Sequence, residues 1–363
     1  MEEQIHSILL NLIRLGIWGK GEVGLNQVLP ESVWEKIFRL ARYHTVEAVV
    51  YDGIKILPKQ LQPSAQLLLK WTVRVDQIER DNVRMNSALI EQIKMFRDEG
   101  IQPLLLKGQG MASMYPVPLH RICGDIDWAF QSKRDFVRAN RLIKERKGNL
   151  HHTAGFSTAY TWNGVAVEHH QRVFDIHSPL SYPYLNKLKR KFKMECMELD
   201  FNGVLAKQPA PTLFILQINA HILKHLLSFG IGLRQLCDSA IAYHALKSKI
   251  DKSLLKATYK RLGIIRWIHV LHAVLVRHIG LPKESLPFSF PDGIEEAWLI
   301  NEIQQMGNFG FHDVRFTTNH PTSVSRDKVL QRVISNFRKY FKYAPMEALS
   351  FPMVHFYSDL SNR

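Results

Sequence analysis

From Ile5 to Leu57 the apolar residues fall in clusters at helical spacing, Ile8, Leu9, Leu12 and Ile13 first and Trp34, Ile37, Phe38 and Leu40 later. That spacing turns one stripe of a helix towards a core. The glycines between Gly16 and Gly24, with Pro30, are expected to break the segment into short helices. Pro63 and Ser64 then open a long helix, in which Leu68, Trp71, Val75, Ile78, Met85 and Leu89 form a continuous core seam until Gly100 stops it.

After Gly100 the period changes. The short apolar run Ile101-Gln-Pro-Leu-Leu-Leu106 reads as a buried strand ending in a tight turn at Lys107-Gly108, with a helix through Met111 and Tyr115 behind it. Asp125-Ile-Asp-Trp-Ala-Phe130 begins with the alternation of a half-buried strand, and Ser132 caps a basic helix reaching about Lys147. Asn163-Gly164 sits between β-prone runs and marks a hairpin, as does Asn202-Gly203. Pro179 to Leu185 reads as a loop and Pro209-Ala-Pro211 as a hinge, after which nearly everything from Thr212 is helical, ending in a basic helix near Val329 to Tyr340. No internal repeat is visible.

The pattern is therefore α+β. It divides into an N-terminal helical region over 1–99, a small mixed β-sheet core over 100–208 and a C-terminal helical domain over 209–363.

At 363 residues, with 46% hydrophobic and 22% charged, the chain can bury a large core, which excludes a disordered or fibrous protein. The start, Met1-Glu-Glu-Gln-Ile-His, is acidic where a secretory signal is basic, and no apolar run approaches the roughly 20 residues that span a bilayer. A cytoplasmic location without a transmembrane segment is the expectation. Cys123, Cys196 and Cys237 are scattered and odd in number, so neither a disulfide framework nor a Cys-rich zinc site is expected. The net charge of +15 fits an anionic partner: a nucleotide, a nucleic acid or an anionic membrane surface. The basic runs Lys187 to Lys193 and Arg326 to Lys342 read, each taken singly, as solvated helix faces.

Candidate chemistry gathers in the middle third. On a strand Asp125 and Asp127 point to one face, so two carboxylates converge on one spot, and Gly124 lets the chain turn into that strand. Oxygen ligands of this kind suit magnesium better than zinc. Glu168, on the second strand of the Asn-Gly hairpin, supplies a third carboxylate if that strand pairs beside the first, with His170 sharing its face. Asp175 is the substitute if the register differs. The turn at Lys107-Gly108 exposes backbone amides suited to phosphate, Gly110 adds freedom, and Arg121 is a candidate bidentate clamp. The full G-x-x-x-x-G-K-[ST] of a P-loop is absent. His221 and His225 lie one helical turn apart, but no Glu follows His221 as H-E-x-x-H demands, so they read as helix-packing histidines.

Leu106-Lys-Gly108, Tyr115-Pro, Arg121-x-x-Gly-Asp125-x-Asp127 and Val167-Glu168-x-His170, in that order, resemble the pattern of a bacterial family of uncharacterised nucleotidyltransferases in the DNA polymerase β-like superfamily. Its relatives include aminoglycoside nucleotidyltransferases and abortive-infection-type nucleotidyltransferase toxins. His221-x-x-x-His225, Leu233-x-x-Leu-x-Asp238 and Gly307-Asn-Phe-Gly310 extend the likeness over most of the chain. The superfamily's usual Gly-Ser pair is here Lys107-Gly108, with no hydroxyl at the matching position. The resemblance implies a polymerase β palm-like sheet between helical flanks. It also implies transfer of a nucleoside monophosphate from a triphosphate such as ATP to a hydroxyl, with two magnesium ions about 3.5–4 Å apart. Asp125, Asp127 and Glu168 would hold metal, while Lys107, Gly108, Arg121, Gly124 and His170 would meet the nucleotide. The acceptor, whether RNA, protein, antibiotic or sugar, is left open, as is oligomeric state. Two rival readings stand beside it: a non-catalytic or regulatory module that keeps the fold and binds nucleotide or nucleic acid through its basic faces, and a peripheral membrane or sugar-pathway accessory protein using the basic C-terminal helices.

Overall fold

The computed structural model describes residues 2–21, 28–146, 148–153, 157–228, 230–308 and 334–361, with side chains as far as 354. Helix α1 (Glu2–Trp18) runs through Gly16 and ends at Trp18, inside the stretch where the break was expected. α2 (Glu31–Tyr43) and α3 (Glu47–Ile56) follow. A Cβ on Gly16 would lie 2.0 Å from the Val49 carbonyl oxygen, and one on Gly53 2.1 Å from that of Leu12. These glycines therefore do not end helices; they let α1 and α3 touch backbone to backbone.

Helix α4 (Ala65–Asp98) starts where Ser64 accepts a hydrogen bond from the Leu67 amide at 3.3 Å. It serves two cores. Leu67, Trp71, Val75 and Ile78 pack with the N- and C-terminal helices, whereas Met85, Leu89, Ile93 and Phe96 pack under the sheet.

The sheet is built from β1 (Leu104–Leu106), then α5 (Gly108–Ala112), β2 (Asp125–Ala129), α6 (Lys133–Glu145), β3 (His151–Thr153), β4 (Ser157–Trp162), β5 (Val165–His170), α7 (Tyr182–Lys191), β6 (Met197–Phe201) and β7 (Val204–Gln208). Its order is β3-β4-β5-β2-β1-β7-β6. β2 pairs antiparallel with β1 and parallel with β5, and β1 is parallel to β7, so the sheet is mixed. Both Asn-Gly pairs make the hairpin turns their sequence requires, with φ of 48° and 75° at Asn163 and Gly164, and 53° and 81° at Asn202 and Gly203. Ser132 caps α6 through the Asp135 amide. The expected loop over Pro179 to Leu185 is instead a short 3-10 turn leading into α7. Pro183 lies in the first helical turn, where its missing N–H costs no intrahelical bond.

β7 passes through only two residues into α8 (Pro211–Ser228), followed by α9 (Leu233–Leu246), α10 (Lys252–Arg261), α11 (Ile265–Arg277), α12 (Ala297–Met306) and a C-terminal helix, Pro345–Ser361. α8 is apolar on nearly every side and correspondingly buried. The expected basic helix from Val329 lies partly outside the described residues, as do Arg326 and residues 309 and 310. Among the described residues no helix is long and apolar enough to cross a membrane.

Strand alternation gives the sheet two unlike faces. Ile126, Trp128, Tyr160, Val165 and Val167 point to the core shared with α4 and α6. Asp125, Asp127, Glu168 and His170 take the other face and line or border a cleft walled by α8 and α9.

Candidate functional site

The register of β2 on β5 sets Asp127 directly beside Glu168, so the strand pairing on which the third carboxylate depended is present. Ligand atoms of Asp127, Glu168 and His170 lie within 4.8 Å of one another. Asp125 opens into the same cleft, two residues earlier on β2, but is outside that closest group. Asp175, the alternative third carboxylate, stands elsewhere: it is bonded to His221 Nδ1 at 2.8 Å and Lys224 Nζ at 2.9 Å.

Lys107 reaches this cluster because of its backbone. Its φ is +38° and that of Gly108 is +41°, a left-handed bend that a lysine adopts only at a cost of order 1–3 kcal/mol. A Cβ on Gly108 would lie 3.1 Å from the Asp125 carbonyl. The bend delivers Lys107 Nζ to 3.1 Å from Asp127 Oδ2. Gly110 provides contact rather than freedom, since a Cβ there would lie 1.7 Å from the Gln208 side chain. At Gly124 φ is ordinary and the space around the missing Cβ is open, so this glycine is not required by the turn; it leaves room beside Asp125.

Electrostatics follow from the packing. Burial alone would raise Asp127, but Lys107 and His170 outweigh it and hold its carboxyl well below the usual range. Burial, then Asp127 and Glu168, push Asp125 up to about 6 against the pull of Lys107 and His170. Burial opposes the charge on Lys107, yet Asp127, Asp175, Asp125 and Glu168 together raise its pKa. His170 behaves likewise: burial lowers it, while its 2.6 Å bond to Asp127 Oδ1 and the charge of Glu168 raise it overall. Ser157 Oγ lies 3.2 Å from its other ring nitrogen. The neighbouring His169, on the opposite face between Tyr160 and Asn140, is pushed down to about 3 by burial.

Arg121 departs from its expected role as a phosphate clamp. Its guanidinium is buried and gives both arms of its fork to Asp238 of α9, with Nε and Nη2 each 2.8 Å from an oxygen. Tyr115 donates to the same carboxylate at 2.6 Å. Asn82 holds the Leu119 and Arg121 carbonyls, at 2.7 and 2.9 Å, and so fixes the segment before β2. The pair thereby ties the approach to β2 to the helical wall of the cleft.

That wall is the part sequence reasoning missed. His221 and His225, expected to pack between helices, face the cleft with their Nε2 atoms 3.0 Å apart. Burial and Lys107 lower His221 to about 4 despite Asp175. Their one-turn spacing was a visible signal, whereas Arg234, which also lines the cleft, carried none. The cleft holds about 330 Å³, within the size range of small-ligand sites.

A mixed sheet that raises a carboxylate cluster beside a lysine-bearing turn, walled by helices, is the arrangement expected of a nucleotidyltransferase-like fold. The profile of a family described as uncharacterised nucleotidyltransferase matches residues 30–278, and the chain belongs to that family. A solved structure, an antigenic nucleotidyltransferase-like protein from Paracoccidioides brasiliensis, is similar over 54% of this chain and 94% of its own at 14% identity and a TM-score of 0.33. No residue assignment rests on that likeness. No curated protein gives a significant match.

Proposed function

We propose that the cleft catalyses magnesium-dependent transfer of a nucleoside monophosphate from a triphosphate to a hydroxyl of an acceptor. The observation that carries this reading is the convergence of Asp127, Glu168 and His170, with Asp125 beside them, on a cleft that also receives Lys107. Family membership supports it. The donor set fits a hard divalent cation, being chiefly carboxylate oxygen, and Lys107 already places a positive charge on Asp127 where a cation would bind. Asp125, Asp127 and Glu168 would hold magnesium, which when bound neutralises phosphate charge and favours the ionised acceptor hydroxyl.

The chain's own groups supply the rest. The acceptor oxygen forms a bond to the α-phosphorus, the bond from that phosphorus to the bridging oxygen breaks, and pyrophosphate leaves. Glu168, partly exposed in the cleft, takes the acceptor's proton. His170 donates to Asp127 and fixes its orientation, as a partner behind a ligand does. Lys107 and the amides after it, at Gly108, meet triphosphate oxygens, with Gly124 leaving space for them. Arg121 acts through Asp238 by holding the segment before β2 in place.

Incubation with α-labelled triphosphates, magnesium and pools of RNA, protein or small hydroxyl compounds tests this. Label should enter one acceptor class, and Asp125→Asn with Asp127→Asn should abolish transfer while the circular dichroism spectrum is kept. Transfer that survives a chelator or the double substitution would contradict it.

A further inference from the structure

Four cations line the cleft, and three are already spoken for. Lys107 pairs with Asp127 at 3.1 Å, Arg121 with Asp238 at 2.8 Å and Lys224 with Asp175 at 2.9 Å. The fourth, Arg234 in the first turn of α9, has no carboxylate within ion-pair distance among the described residues. Among the described residues its side chain bonds through Nε alone, at 3.0 Å to Thr45 Oγ1, which leaves both Nη groups for another acceptor although its charge is also felt by Asp238. A guanidinium anchored by Nε and presenting its two outer nitrogens is well disposed to meet an oxyanion side-on.

Its anchor is built at a cost. Thr45 has φ of +53°, a left-handed conformation in which a β-branched residue is a marked outlier. In that conformation its hydroxyl donates to the His44 carbonyl at 2.7 Å and accepts from Arg234. The same carbonyl accepts from the Arg234 amide at 3.4 Å, and a Cβ on Gly232 would lie 3.1 Å from it. The turn between α2 and α3 is thus pressed against the start of α9 and holds one arginine in a fixed pose.

We propose that Arg234, oriented by Thr45, grips the polyphosphate of the incoming nucleotide from the helical wall of the cleft, the task expected of Arg121 from the sequence. The proposal rests on the nucleotidyl-transfer reading for the identity of its ligand, and the anion class rests on the cleft's charge pattern. Thr45 is a positioning residue, since it acts through Arg234.

Calorimetric titration of ATP, AMP and inorganic tripolyphosphate, each with magnesium, into the full chain tests it. Arg234→Gln should weaken ATP and tripolyphosphate by about tenfold or more, the usual size of a lost bond to a charged group, and leave AMP within about twofold. Thr45→Gly should weaken the same two probes severalfold without lowering the melting temperature, because glycine relieves the positive φ while removing the hydroxyl. A purely structural Thr45 would lower the melting temperature and leave affinity alone. Unchanged ATP and tripolyphosphate affinity in folded Arg234→Gln overturns the proposal, as does an equal loss for AMP. If tripolyphosphate binds in an Arg234-dependent way but no triphosphate transfers label to any acceptor, the subsite stands and the transfer reading fails. If the wild type binds neither ATP nor tripolyphosphate, both fail.

Discussion

His169 and His170 are adjacent in sequence and both buried, yet opposite in the face they occupy, in their partners and in their charge. His169 lies on the face of the sheet packed against Phe96 and Phe130, fully buried, with Tyr160 and Asn140 on its ring nitrogens, and is driven towards the neutral form. His170 lies on the cleft face, bonded to Asp127, and is driven towards the charged form. The contrast extends to the whole sheet: one face is held by shape and apolar area, the other by compensating charges. The two faces should therefore fail differently.

The largest effect is expected on the apolar face. Trp128 is buried edge-on against Phe96, and its Nε1 donates to Gln92 at 2.6 Å. Trp128→Ala should cost about 3–5 kcal/mol in denaturant unfolding, while the fraction that remains folded keeps its affinity for triphosphate. On the charged side, removing one partner of a buried ion pair strands the other. Arg121→Met should cost roughly 3 kcal/mol by leaving Asp238 uncompensated, and Arg121→Met with Asp238→Leu should recover most of it. Failure of the double variant to recover stability would mean that Tyr115 and Cys123, which share the pair's bonds, carry more of the structure than the pair itself.

Taken per pH unit, the smallest effect is in pH dependence, and there the two histidines have opposite signs. His169 has a folded pKa of about 3 against roughly 6.5 unfolded. The unfolded chain binds the extra proton between those values, so its contribution to stability falls as pH drops below about 6.5, by about 1.4 kcal/mol per pH unit. For His170 the folded pKa is raised, so its contribution is complete below about 6.5 and is lost as pH rises through the folded value. Imidazole NMR titration should find His169 uncharged at pH 5 and His170 titrating above its ordinary value. Coincident titration of the two would remove the distinction between the faces.

Much of the fold was legible because its signals are local. The change from a three-to-four-residue to a two-residue period located the strands, Ser64 and Ser132 announced their helices, and both Asn-Gly pairs made hairpins. The misreadings came where a residue's reason lies elsewhere in space. Gly16 looks like a breaker but is a contact surface for α3, and Pro179 and Pro183 look like a loop but sit in the first turns of a 3-10 segment and of α7, where a helix tolerates them. The short β3 strand carries too few residues to display a period. Asp125, Asp127 and Glu168 could be named from strand alternation. The partner of Arg121 is 117 residues away, and neither it nor the exposure of Arg234 to the cleft leaves a mark on local sequence, whereas the one-turn spacing of His221 and His225 does, without saying which way they face.

The most direct test of the charged face as a metal and triphosphate site is titration with Mn2+, a spectroscopic substitute for magnesium, followed by electron paramagnetic resonance in the presence of tripolyphosphate. Wild-type protein and Tyr160→Phe, altered only on the apolar face, should bind the ion alike, and Asp127→Asn should bind at least about tenfold more weakly. Equal affinity in Asp127→Asn, or no protein-bound Mn2+ in the wild type, would contradict the account.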